Sequence, residues 1–200
     1  KGLNLSFETL DGLIKHNGPV KNLTKFNKIL GNNFFKKKIK FSLNSSLEAQ
    51  LASISDDIAY NSHDLEDGLK SNLFKIKDLK NIPVLDKIII KHVKNFSKYS
   101  TDLIIRQIIR EIINEMVSDV IYTTRYNIKK NKIKNLNDIY KAKIQLVAFS
   151  DKMKTFDTKI KKFLKQKMYF HKKVNHKTNY GKKVIIKLFT SIKRNPKKYI

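Results

Sequence analysis

The chain has 200 residues, enough for one sizeable hydrophobic core, and a formal net charge of +26 from 43 lysine and arginine residues against 17 acidic ones. It has no cysteine, which excludes a disulfide framework and a thiolate metal site and fits a cytoplasmic protein. No apolar run approaches the ~20 residues that a membrane span needs, so we expect no membrane partner.

The first predicted element is a helix over residues 6–16. Ser6 is placed to cap its N-terminus, and Glu8 lies in the first turn, where the helix dipole favours a carboxylate. The sequence Asn17-Gly18-Pro19 ends the helix. A histidine in the last turn is usually a partner of the helix dipole, and we give His16 that role.

Residues 21–44 form a lysine-rich interval that predicts a surface excursion. Phe34 and Phe35 precede Lys36-Lys37-Lys38, and aromatic side chains beside basic ones can bind single-stranded nucleic acid by stacking and charge. A solvated loop anchored by the two phenylalanines explains the same pattern, and we favour that interpretation.

The next predicted helix begins at Ser45 and Glu48, which have capping-box spacing, and ends between Gly68 and Leu73. At 100° per residue its two faces differ strongly in polarity. The face expected to pack on a core carries Leu51, Ile54, Ile58, Leu65 and Leu69. The opposite face carries Asp56, Tyr60, His63, Asp64 and Asp67. Such an acidic row is either a solvated face or the lining of a site for a divalent cation and a phosphate ester.

The remainder of the chain also shows helical periodicity. Pro83 opens one element, residues 101–122 carry the strongest apolar stripe, and Arg106 and Arg110 lie off that stripe. No convincing alternating strand appears, so we predict an all-α fold. The last three predicted helices cover residues 138–150, 151–170 and 177–194.

The excess of positive charge has two explanations. The first explanation is a polyanion partner, either nucleic acid or nucleotide phosphate, which positive charge would attract. An AT-rich genome would also fill surfaces with lysine, asparagine and isoleucine, and the lysines here are spread over nearly every segment. We favour the compositional explanation, while nucleic acid stays a possible partner.

Three segments together resemble the dGTP triphosphohydrolase-like family of the HD-domain superfamily. The central one runs from Leu47-Glu48-Ala49-Gln50 through Asp56–Tyr60 and His63-Asp64 to Asp67-Gly68-Leu69. The first is Gly2–Leu10 with Gly12 and Lys15–Pro19. The third joins Phe149-Ser150, Phe163-Leu164, Met168-Tyr169, His171 and Val174. The interval 21–44 and the last few residues match poorly.

The resemblance implies an organisation in two parts. Residues 1–80 would be the C-terminal part of the HD phosphohydrolase core, with the excursion at 21–44, and residues 81–200 a helical phosphohydrolase-associated region. The complete family enzyme splits a deoxynucleoside triphosphate into deoxynucleoside and triphosphate, with water at a divalent metal, and forms homo-oligomers.

The resemblance also implies roles for individual residues. The later metal-binding aspartate of the family maps to Asp56, with adjacent Asp57 as the alternative. Tyr60 and Asp64 map to contacts with the deoxyribose and phosphate side of the substrate.

Three further candidate substrate contacts rest on side-chain chemistry and not on the resemblance. Arg110 carries a guanidinium that suits phosphate, with a solvated or ion-paired arginine as the alternative, and His63 is a second candidate for phosphate. Tyr169 is a candidate for packing against base or ribose, with a core position at the end of an apolar helix as the alternative.

The family's other metal ligands, a histidine and a His-Asp pair, precede everything in this chain. The only His-Asp dipeptide here is His63-Asp64, which lies inside the later motif. A divalent metal (Mg, Mn or Fe) is therefore expected only if those ligands are supplied. With its first residues Lys-Gly-Leu-Asn and no initiator methionine, the chain is expected to be a fragment that is inactive alone. The alternatives are a basic helical module that binds nucleic acid and a structural assembly piece without catalysis.

Overall fold

A computed structural model describes residues 3–21, 39–95 and 98–199. Every regular element in those residues is helical, which confirms the predicted all-α class. None of the described helices is both long enough and apolar enough to cross a membrane. The α-helices are α1 (Phe7–Ile14), α2 (Leu47–Lys70), α3 (Leu85–Asn95), α4 (Thr101–Lys130), α5 (Leu136–Lys141), α6 (Asp151–Leu164) and α7 (Lys172–Arg194). Short 3-10 helices lie at Ile76–Leu79 and Pro196–Lys198, and a π-helical turn at Lys165–Tyr169.

The chain divides into two compact units. The first unit comprises Lys1–Ser62 and Arg110–Thr155, and the second comprises His63–Ile109 and Phe156–Ile200. Helices α2, α4 and α6 each pass from one unit into the other.

In the first unit, α1 is anchored by its own side chains. The Ser6 side chain accepts a hydrogen bond from the Thr9 backbone N–H at 3.2 Å, which confirms Ser6 as the N-cap. Lys15 and Asp11 form a buried ion pair of 2.7 Å, and Lys15 Nζ also donates to the Asn44 carbonyl at 3.3 Å. These bonds satisfy two buried charges that would otherwise be costly.

Two buried amide side chains hold the segment that follows α5. The Gln50 Oε1 atom accepts the backbone N–H groups of Leu146 at 2.9 Å and Val147 at 3.2 Å. The Asn44 Nδ2 atom donates to the carbonyls of Ala142 at 2.7 Å and Ile144 at 3.2 Å. The predicted helix over 138–150 is therefore wrong beyond Lys141, because side chains rather than a helical ladder satisfy this backbone.

In the second unit, the core forms around the C-terminal half of α2. Leu65 is fully buried, and a Cβ atom built on Gly68 would collide with the Phe74 ring. Phe74 in turn meets Phe163 edge to face, with ring centroids 4.9 Å apart. The other fully buried apolar side chains of this unit are Leu79, Leu85, Ile108, Phe156, Ile160 and Leu164.

The apolar face of α2 is buried only in part. Ile58 and Leu65 are buried as predicted, but Leu51 is 51% exposed and does not belong to the core. The helix begins at Leu47, and its Ala49 N–H bonds the Ser46 hydroxyl at 3.3 Å, so Ser46 caps it rather than Ser45. The lysine-rich run Lys36–Lys38 lies outside the described residues.

Candidate functional site

The predicted acidic row lies on α2, and its first part belongs to the first unit. Asp56 and Tyr60 are both exposed. The Asp56 side chain is 71% exposed, and its Oδ2 atom lies 3.7 Å from His16 Nε2. The Ser53 hydroxyl donates to the His16 carbonyl, which fixes the end of α1 beside this turn of α2.

His16 was given only a structural role from the sequence, and its side chain nevertheless faces Asp56. The pairing joins residues 40 positions apart in sequence, which no local pattern can predict. The sequence did contain one indication of a further role for His16, because the segment Lys15–Pro19, which includes His16, resembles the family.

The described residues do not by themselves form a metal site. Among residues 3–21, 39–95 and 98–199, no group of three or more histidine, aspartate and glutamate side chains is close enough to hold a metal ion. Asp56 and His16 offer two donors, fewer than a divalent cation takes in protein sites. The assignment of Asp56 as a metal ligand therefore stays a prediction, as does the alternative, Asp57.

In the second unit, Asp64 and Tyr169 come together across 105 positions of sequence. The Tyr169 hydroxyl donates a hydrogen bond to Asp64 Oδ2, and both residues are half-buried. Tyr169 is the last residue of the π-helical turn Lys165–Tyr169. Such turns are rare and frequently occur at functional sites.

Local hydrogen bonds link the π-helical turn to the start of α7. The His171 side chain accepts the Lys173 N–H at 3.3 Å and caps α7. The Phe170 and His171 N–H groups bond the carbonyls of Lys165 and Met168. The third segment of the resemblance, Met168-Tyr169 with His171, is thus the segment that presents Tyr169 to Asp64.

The remaining candidates, His63, Arg106 and Arg110, are surface residues of α2 and α4. His63 and Arg110 are exposed, and neither forms an ion pair with Asp56 among the described residues. Arg106 pairs with Asp102 at 3.3 Å in an exposed (i, i+4) arrangement, as expected of a solvated helix surface. The phosphate-binding roles of His63 and Arg110 stay predictions.

A cavity of about 580 Å³ lies in the first unit, beside α1 and the start of α2. It is lined mainly by apolar surface, with Glu8, His16, Glu48 and Tyr140 as its ionisable groups. Burial raises the pKa of Tyr140 above its ordinary value, and the carboxylates of Asp11, Glu8 and Glu48 raise it further. The Glu48 carboxylate accepts hydrogen bonds from its own backbone N–H and from the Ser46 side chain. These bonds hold the pKa of Glu48 below its ordinary value.

Comparison with known proteins gives a consistent set of matches. The profile of the phosphohydrolase-associated domain matches residues 147–199. A protein of Pelagibacter ubique named deoxyguanosinetriphosphate triphosphohydrolase-like is 46% identical over 200 residues, covering 100% of this chain and 54% of its own length. Similarly named proteins of Bartonella tribocorum and Neorickettsia sennetsu are 34% and 32% identical, each over 98% of this chain and 50% of its own length. The chain thus spans about half the length of these relatives.

Proposed function

Because the chain belongs to the deoxyguanosinetriphosphate triphosphohydrolase-like family, we propose that it is part of a metal-dependent deoxynucleoside triphosphate triphosphohydrolase. The overall reaction would convert a deoxynucleoside triphosphate and water into deoxynucleoside and triphosphate. The role of this chain in it would be to position the sugar side of the substrate.

The hydrogen bond between Tyr169 and Asp64 is the observation that carries this proposal. It engages Oδ2 of the Asp64 carboxylate and restrains the orientation of the second oxygen, Oδ1. A fixed carboxylate oxygen is a suitable acceptor for a sugar hydroxyl. The phenol ring of Tyr169 would provide apolar surface beside the sugar carbons.

The phosphate side of the substrate needs cationic groups that the described residues do not assemble. We propose that Asp56 contributes one carboxylate to a divalent metal and that the other ligands come from outside this chain. A metal held by several ligands binds far more tightly than one held by a single carboxylate. When bound, the metal would supply polarisation of a phosphoryl oxygen and activation of water.

The experimental test adds a protein segment that would carry the other metal ligands. The chain is incubated with dGTP and Mg²⁺ or Mn²⁺, alone and fused to the part of the Pelagibacter ubique relative that it does not match. Deoxyguanosine and triphosphate are quantified by chromatography. We expect products from the fusion and none from the chain alone.

An Asp56→Ala change in the fusion should abolish triphosphate release without unfolding the protein, because the side chain is largely exposed. Asp57→Ala is the matched control on the next position of the same helix. Turnover by the chain alone would show that outside ligands are not needed. Full activity of the Asp56→Ala fusion together with loss in Asp57→Ala would transfer the metal role to Asp57.

A further inference from the structure

The helix α7 (Lys172–Arg194) carries an apolar face that the described chain leaves uncovered. None of its residues is buried. Ile185 and Phe189 are 68% and 67% exposed, which is unusual for large apolar side chains that share one side of a helix. At 100° per residue the face is formed by Val174, Gly181, Ile185, Leu188, Phe189 and Ile192.

Gly181 shows how open the middle of this face is. It occupies the same side as Ile185 and Ile192, at helical spacings of four and eleven residues. A Cβ atom built on Gly181 would have no other described atom within 4 Å. The face therefore has room for an occupant along its centre.

The charge around this face is of one sign. Residues 172–199 contain ten lysine or arginine residues and no aspartate or glutamate. On α7, Lys172, Lys183, Lys187 and Arg194 lie on the side opposite the apolar face, and the other four lysines of the helix flank it. A partner for α7 must therefore combine negative charge with an apolar interior.

We propose that α7 binds the surface of an anionic lipid bilayer, lying in the plane of the membrane. Headgroup phosphates would attract the lysines, and the acyl boundary would receive the apolar face. With 23 residues the helix is ~35 Å long at 1.5 Å per residue. The expectation of no membrane partner rested on the absence of a spanning segment, and a helix lying on the surface needs none.

Two other occupants, a second copy of α7 and single-stranded nucleic acid, each satisfy only one of the two requirements. A second copy of α7 could cover the apolar face but would bring together two segments with ten positive charges each. Single-stranded nucleic acid would satisfy the charge and leave Ile185, Leu188 and Ile192 in water. The inference is independent of the proposed hydrolase function, because it uses no residue of the Asp64–Tyr169 pair or of Asp56.

The first experiment is co-sedimentation of the full chain with vesicles of phosphatidylcholine and phosphatidylglycerol, compared with phosphatidylcholine alone. We expect binding to the anionic vesicles and little to the neutral ones. The double change Ile185→Asp with Phe189→Asp should weaken binding about tenfold or more, because it puts charge into the acyl boundary. The matched control is Asn179→Asp with Thr190→Asp, which changes net charge equally on the polar side and should weaken binding much less.

A second readout reports insertion directly. The chain has no tryptophan, so a Phe189→Trp variant carries a single tryptophan, which lies on the apolar face and can be excited selectively over the tyrosines. Its emission should shift to shorter wavelength with anionic vesicles, whereas that of His176→Trp, on the polar side, should not. Circular dichroism melting of every variant checks that none has simply unfolded.

Three outcomes would overturn the inference. Equal weakening by the two double changes would mean that charge alone drives binding. Binding to single-stranded DNA but not to vesicles would assign α7 to nucleic acid. Self-association in sedimentation velocity that Ile185→Asp with Phe189→Asp removes would assign the face to a second copy of the chain.

Discussion

The pair Asp64 and Tyr169 matters to stability as well as to the proposed site. A hydrogen bond between a phenol and a carboxylate is stronger than one between neutral groups, and partial burial protects it from competition by water. The Tyr169 hydroxyl is the donor and the carboxylate the acceptor. Removing the hydroxyl alone should therefore lower the free energy of unfolding while leaving the ring packed.

We predict that Tyr169→Phe lowers the free energy of unfolding by ~1–2 kcal/mol, and that Asp64→Asn lowers it by a similar amount. The double variant should lose less than the sum, because both changes remove the same bond. Urea denaturation followed by circular dichroism measures all three. The control is Tyr180→Phe, whose exposed phenol on α7 should tolerate the change. Strict additivity of the two single changes would contradict the hydrogen bond.

At the scale of elements, the segment between α5 and α6 depends on one side chain of α2. Gln50 is buried and bonds three backbone groups, those of Leu146, Val147 and Ser45. A buried N–H group that loses its acceptor incurs its full desolvation cost. Gln50 thus ties Leu146 and Val147 to the start of α2.

Gln50→Ala should lower the free energy of unfolding by ~2–4 kcal/mol, since two backbone N–H groups lose their acceptor. Thermal melting is the measurement, and hydrogen exchange should show faster exchange of the Leu146 and Val147 amides. Gln145→Ala, at an exposed position of the same segment, is the control and should change stability little. An unchanged melting temperature in Gln50→Ala would mean that water replaces the side chain fully.

The first turn of α2 should respond to pH through Glu48. Its pKa lies below the ordinary value of 4.5 because the folded state donates hydrogen bonds to the carboxylate. A group with a lowered folded pKa adds stability above its unfolded pKa and loses that stability as the pH falls through the folded pKa. The stability difference between wild type and Glu48→Gln should therefore shrink below pH 4.5. Urea melts at several pH values between neutral and strongly acidic measure it, and a constant difference would contradict the prediction.

A helix could be predicted from the sequence where only one of its faces is buried. Ile58 and Leu65 mark the buried side of α2, and both are buried in the structure. Leu51 shares their periodicity but is exposed, because periodicity identifies a face and not which part of that face has a partner. The predicted helix at 138–150 failed because Gln50 and Asn44, distant in sequence, satisfy that backbone.

Local periodicity says even less about the candidate site. It placed Asp56, Tyr60 and Asp64 on one side of a helix, but the contacts of His16 with Asp56 and of Tyr169 with Asp64 join distant segments. Tyr169 lies in a segment that resembles the family, but its hydrophobic context at the end of a helix favours a core residue. Physical pattern alone therefore located the acidic row and missed both of its partners.

For the whole molecule, the net charge of +26 sets a cost of folding that depends on ionic strength. Compaction brings like charges closer together, and the resulting self-repulsion destabilises the folded state. Salt screens it, since the Debye length falls from ~30 Å at 0.01 M to ~8 Å at 0.15 M. The lysines are exposed in most of the described helices, so screening should reach them.

We therefore predict that the melting temperature rises when NaCl is added to a low-salt buffer, by ~2–4 °C for each kcal/mol of repulsion screened. The triple change Lys152→Gln, Lys159→Gln and Lys162→Gln, at exposed positions of α6, should raise the low-salt melting temperature and flatten its dependence on salt. Glu115→Gln on α4, also exposed, is the control with the opposite charge change and should steepen that dependence. Differential scanning calorimetry over a series of NaCl concentrations provides the measurement. A melting temperature that is flat or falling with NaCl would show that self-repulsion is already compensated within the fold. A rise at micromolar inorganic triphosphate, where added ionic strength is negligible, would indicate instead that the excess charge serves a saturable polyanion site.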